Sequence, residues 1–119
     1  MIQTDDFTYF VWSEFDCKHT GLNEMDPAFI HKLDDLRHAC GFPFKITSGY
    51  RDPSHPVEAK KSSPGMHTTG KAADVAISLS SQRYVILQEA LKAGFTGIGI
   101  ADDFIHLDTR DSTPVIWTY

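Results

Sequence analysis

The chain has 119 residues, a formal net charge of −5, 41% hydrophobic and 23% charged residues. That composition is typical of a soluble globular protein, and the length allows one domain, residues 1–119, around one core. The acidic balance speaks against a nucleic-acid partner, and the lack of any run of about 18 apolar residues speaks against membrane insertion.

The first six residues, Met1 to Asp6, are polar and acidic, which is not the pattern of a signal peptide, so synthesis in a cytosol is expected. In that reducing compartment Cys17 and Cys40 read as buried thiols. Residues 7–18 mix aromatic and polar groups and predict an irregular, partly buried arm. A helix is predicted from Asp26 to Cys40, with Asp26 as N-cap, Pro27 at the first helical position and Gly41 just past the end. Phe29, Ile30, Leu33, Leu36 and Cys40 recur at spacings of three and four and form its apolar stripe. A short strand, Phe44–Ser48, runs into Gly49-Tyr50-Arg51.

Residues 52–66, with three prolines and several serines, predict a long surface loop. Lys71–Ile77 reads as a strand, and Ser80 or Ser81 as the cap of a second helix that runs to about Ala93 and ends at Gly94. Strands Gly97–Ile100 and Phe104–Thr109 follow, split by a turn at Ala101-Asp102, and the apolar tail Pro114–Tyr119 predicts a last strand. The fold class is α+β: an antiparallel sheet with helices packed on it, and a metal site on the sheet face.

The chemistry sits in three phrases. In His67-Thr68-Thr69-Gly70-Lys71-Ala72-Ala73-Asp74, strand alternation gives Asp74 one face with Ala72 and Ala76, a roomy spot, and the turn at Gly70 lets His67 swing back toward it. In Asp103-Phe104-Ile105-His106-Leu107-Asp108, the side chains of Phe104, His106 and Asp108 share a face, so Asp108 can orient His106 by accepting an imidazole N–H. Two imidazoles and a carboxylate with an open fourth position are the donor set of a catalytic zinc. Proton transfer then needs a base, and Asp102 and Asp103 are the candidates; alternation alone favours Asp102. In Thr47-Ser48-Gly49-Tyr50-Arg51, the guanidinium suits a carboxylate or a developing oxyanion. A thiolate site of Cys17, His19 and Cys40 is the competing metal reading.

Together these phrases resemble the M15 family of zinc peptidases, which includes D-alanyl-D-alanine carboxypeptidases and phage endolysins. The matching motifs are Ser-Gly-Tyr-Arg at 48–51, His-x6-Asp at 67–74 and Asp-x-x-His-x-Asp at 103–108, with looser likeness at Phe15-x-Cys17 and Trp117-x-Tyr119. The resemblance implies a Zn²⁺ held by His67, Asp74 and His106, with Asp103 as the base. It also implies Arg51 as the group that steadies substrate and oxyanion, with Ser48 and Tyr50 beside it in substrate binding. Relatives often carry serine two residues before the first histidine, where this chain has Gly65, and Ser63 is out of register.

The implied function is a monomeric zinc metallopeptidase that cuts amide bonds in peptidoglycan stem peptides. The expected type is a phage or prophage endolysin with an L-alanyl-D-glutamate-like endopeptidase cut, acting on the cell wall after release. The alternatives are a D-alanyl-D-alanine carboxypeptidase and a non-catalytic zinc-stabilised virion or binding module.

Overall fold

A computed structural model describes residues 6–61 and 65–119. The expectations for Met1–Asp5 and for Ser63 lie outside the described residues. Three helices, α1 (Pro27–Cys40), α2 (Pro56–Ala59) and α3 (Ser80–Ala93), accompany five strands: β1 (Ile46–Ser48), β2 (Ala72–Ala76), β3 (Gly97–Ile100), β4 (Phe104–Asp108) and β5 (Val115–Thr118). The strands form one sheet in the order β1-β2-β4-β3-β5. Three of the pairings are antiparallel, as expected, and β3 pairs with β5 in parallel, so the sheet is mixed.

Helix α1 follows its sequence signals: the Asp26 carboxylate accepts the Ala28 N–H, Pro27 opens the helix, and Gly41 closes it in the left-handed conformation. At α3 the cap residue is Leu79, not Ser80 or Ser81. The Gln82 side chain reaches back and accepts the backbone N–H groups of Ser78 and Leu79, which ties off the helix start without a serine. Within the expected loop, Pro56–Ala59 forms one helical turn whose N-cap is His55.

Alternation along the strands divides the sheet into two chemically different faces. Val75, Ile98, Ile105 and Leu107 pack into one core with Ile30, Leu33 and Leu36 of α1 and Ile86 and Ala90 of α3. The opposite face carries Asp74 on β2 and His106 and Asp108 on β4. Register places Asp74 directly across from His106, and Ala72 across from Asp108.

The N-terminal arm packs against α1 and the end of β1. It contains a 3₁₀ turn, Trp12–Phe15, and is tied to α1 where the Asp34 carboxylate accepts the Thr8 and Tyr9 N–H groups, each at 2.8 Å. Phe15 is fully buried, and its carbonyl accepts the Tyr50 N–H at 2.9 Å.

Candidate metal centre

His67 enters the site from a 3₁₀ turn, Met66–Thr69, that ends in left-handed Gly70. A Cβ at Gly70 would run into the carbonyl of Glu24, and the Gly70 carbonyl accepts the Asp26 N–H, so this turn requires glycine. His67 Nδ1 lies 2.8 Å from the Gly49 carbonyl. A carbonyl can only accept, so Nδ1 carries the proton and Nε2 presents its lone pair to Asp74 Oδ1, 3.3 Å away. His106 is fixed in the opposite sense. Its Nε2–H donates to Asp108 Oδ2 at 2.7 Å, which turns Nδ1 toward the same Asp74 oxygen at 3.1 Å.

His67, Asp74 and His106 are all buried, and one donor atom from each lies within 4.8 Å of the others; among the described residues no other such cluster of His, Cys, Asp and Glu occurs. Two imidazole lone pairs aimed at one carboxylate oxygen repel unless a cation stands between them. The separations of 3.1 and 3.3 Å approach the edge of a tetrahedron with bonds of about 2.0–2.1 Å to a central ion. The donor set therefore fits a small divalent cation. The competing thiolate set is not assembled: Cys17 is buried beside the Asp52 N–H, and Cys40 ends α1; both are free thiols.

In the metal-free protein the same groups act on one another's charge. Burial by itself raises the pKa of Asp74, but the imidazoles of His106 and His67 outweigh it and hold the carboxyl well below the usual range. Burial likewise opposes charge on His106, and the Asp108 and Asp74 carboxylates reverse that and raise its pKa. Asp108 has no exposed surface. Against the effect of burial, His106 and Arg110 hold it ionised, with Arg110 donating from Nη2 at 2.6 Å and from Nε at 3.0 Å.

A cleft of about 460 Å³ opens over these residues, with Arg51, Lys61, Arg110, Phe104, Trp117 and Tyr119 in its walls. Arg51 follows β1, and its Nε–H donates to Ser48 Oγ at 3.1 Å, so Ser48 reaches the site through Arg51. Tyr50 is buried, 4% exposed, and does not line the cleft: its main chain pairs with Phe15, which turns the ring inward. Asp102 and Asp103 form the tip of the β3–β4 hairpin, closed by the Ala101 N–H to the Phe104 carbonyl at 3.1 Å. The turn expected between the two strands is present. Both carboxylates are nevertheless exposed and line a neighbouring pocket that shares Tyr119 with the cleft, not the cleft itself.

Sequence reasoning missed three contributors. Arg110 holds Asp108, and Glu58 on α2 accepts from Arg51 Nη1 at 3.0 Å. The third is the pair Gly97 and Gly99 on β3: a side chain at Gly97 would overlap the Asp108 carboxylate, and one at Gly99 would lie 2.7 Å from the Trp117 indole. Their signal was the alternation Gly-Ile-Gly-Ile at 97–100, with Ile98 in the core and both glycines on the face of the site.

A family model described as Peptidase M15 matches residues 8–108, from the arm through Asp108. The chain belongs to the peptidase M15 family. Membership makes it a hydrolase of peptide bonds and agrees with the metal-ligand geometry, because peptidases of this family are typically metal-dependent. No curated protein matches the chain. No helix among the described residues is long and apolar enough to cross a membrane.

Proposed function

We propose that this M15 peptidase is zinc-dependent and hydrolyses amide bonds in the peptide stems of bacterial peptidoglycan, as an endolysin-type endopeptidase with an L-alanyl-D-glutamate-like cut. The observation that carries the reading is the trio of donor atoms from His67, Asp74 and His106, converging on the floor of a cleft whose walls include Arg51, Lys61 and Arg110. Such walls suit a short acidic peptide. Zinc held by the three residues supplies Lewis-acid polarisation of the amide carbonyl and a water acidic enough to attack near neutral pH. Arg51, with its side chain 19% exposed, offers N–H groups to the oxyanion that develops on that carbonyl. Asp103 accepts the proton from the attacking water and returns it to the leaving nitrogen. In this reading the hairpin tip turns in past Tyr119 when substrate binds, consistent with catalytic contacts that tighten only in the complex.

Mass spectrometry of muropeptides digested by the zinc-loaded chain, with His106→Ala as blank, tests this. The expected products are stem fragments cut after L-alanine. Release of terminal D-alanine alone would make the protein a carboxypeptidase. Intact muropeptides in the presence of stoichiometric zinc would leave a non-catalytic module. Asp103→Ala is expected to lose activity and Asp102→Ala to keep most of it; full activity in Asp103→Ala removes the assigned base.

A further inference from the structure

Glu58 is a carboxylate with no side-chain exposure in a stretch of polar surface chain, where a solvated glutamate is the ordinary outcome. Burying an ionised carboxylate forfeits its hydration unless donors replace the water. Three do. Glu58 Oε1 accepts the Gly65 N–H at 2.8 Å, and Oε2 accepts from Arg51 Nη1 at 3.0 Å and from Lys61 Nζ at 3.2 Å. These donors outweigh burial and keep the Glu58 pKa below its ordinary value.

Two features show what this arrangement does. Gly65 has φ −82° and ψ −179°, an extended conformation open to any residue, so the backbone does not require glycine there. A Cβ at 65 would lie 2.7 Å from Lys61 Nζ, the movable end of a long side chain, and 3.2 Å from Glu58 Oε1. Glu58 and Lys61 thus fill the room that a side chain at 65 would take. Second, Arg51 Nη2 lies 3.8 Å from Asp74 Oδ2, outside hydrogen-bond range. Without Glu58, the nearest carboxylate for the guanidinium is this proposed metal ligand, and closing that gap would set Arg51 against the metal for the same carboxylate.

We propose that Glu58 is a positioning residue that holds Arg51 off Asp74 and directed into the cleft, and that it ties Arg51 to Lys61 and Gly65 as one wall of that cleft. The wall keeps one net positive charge, since one carboxylate faces two cations, and so selects a substrate with an anionic group next to the scissile amide. The catalytic part of this inference rests on the peptidase reading above; the geometric part does not.

The experiment uses the full zinc-loaded chain. In ¹⁵N side-chain spectra, the Arg51 Nη1 protons, which Glu58 accepts, are expected to exchange slowly with solvent, and Glu58→Gln is expected to speed that exchange at least about tenfold, the scale of one charge-assisted hydrogen bond. Gly65→Ala crowds Glu58 without removing a charge and is expected to move the same signal. It supplies the readout if Glu58→Gln does not fold. An Arg51 signal unchanged in the variants that fold overturns the proposal, whether or not the protein cleaves anything. On muropeptides, Glu58→Gln is expected to lower kcat/KM about tenfold, and to have no further effect once Arg51→Ala is present. Losses that multiply instead would show that Glu58 does not act through Arg51. A wild-type protein that cuts nothing fails the peptidase reading alone.

Discussion

A methyl group at Gly97 should damage the metal centre although Gly97 has no functional group to lose. Its Cβ would overlap Oδ1, Cγ and Oδ2 of Asp108. Neither partner can retreat cheaply. Strand β3 is paired on both sides, with Gly97 opposite Asp108 on β4 and Val115 on β5. Asp108 is fully buried and accepts from His106 Nε2 at 2.7 Å, from Arg110 Nη2 at 2.6 Å, and from Arg110 Nε and N at 3.0 and 3.1 Å. In Gly97→Ala the carboxylate must rotate away and His106 loses the contact that sets its tautomer. Disrupting a buried, hydrogen-bonded charge pair costs about 3–5 kcal/mol. For a chain of this length about 1 kcal/mol corresponds to about 4 °C, so the melting temperature of the metal-free protein should fall by roughly 12–20 °C. Loss of a contact that orients a metal-binding histidine should also weaken zinc binding about 10–100-fold. Calorimetry in chelator and competition with a chromogenic zinc indicator read the two effects separately. A Gly97→Ala protein that melts within a few degrees of wild type and binds zinc equally well would refute the view that Asp108 is an immovable support for His106.

Three further outcomes are expected. Asp74→Asn should weaken zinc binding by more than the about 10–100-fold assigned to a supporting contact; stoichiometric zinc in that variant by elemental analysis would remove Asp74 from the ligand set. The lowered pKa values of Asp74, Asp108 and Glu58 give stability that is present above their ordinary values of 3.8, 3.8 and 4.5 and lost as pH falls below them. The raised pKa of His106 gives stability that is present below its ordinary 6.5 and lost as pH rises through the higher folded value. Calorimetry of the metal-free protein should therefore find its highest melting temperature between those limits, and a melting temperature that keeps rising toward pH 9 would contradict the ion-pair assignment. Burial, with the Glu89 charge as a smaller cause, pushes the Cys40 thiol up to about 11, so alkylation of Cys40 at pH 8 should be slow; rapid labelling by mass spectrometry would show an open thiol.

The parts of this molecule that were legible in its sequence are those written into short periods. The two faces of β2 follow from alternation alone, with Ala73 and Val75 inward and Asp74 on the site, and α1 follows from Asp26, Pro27 and its apolar spacing. Other features depend on which distant segments meet. The direction of β5 is set by topology: β4 is already flanked by β2 and β3, so a strand that reverses after β4 and joins the nearer open edge pairs with β3, and must then run parallel to it. The start of α3 went to Leu79 because Gln82, four residues from Ser78, reaches back and accepts the N–H groups of Ser78 and Leu79, the returning half of a capping box. Glu58 is locally indistinguishable from a solvated charge, because nothing in the neighbouring sequence says that Arg51 and Gly65 will close over it. The placement of Asp103 shows the same boundary: spacing locates it on the hairpin tip three residues before His106, but whether that tip faces the cleft is a tertiary matter. The glycines of β3 lie between these cases. On the core side of that strand the pattern demands isoleucine, and on the other it demands nothing at all, since Asp108 and Trp117 already occupy the space. An absent side chain at period two in an otherwise packed strand is thus a legible trace of groups that must approach the backbone from elsewhere in the chain.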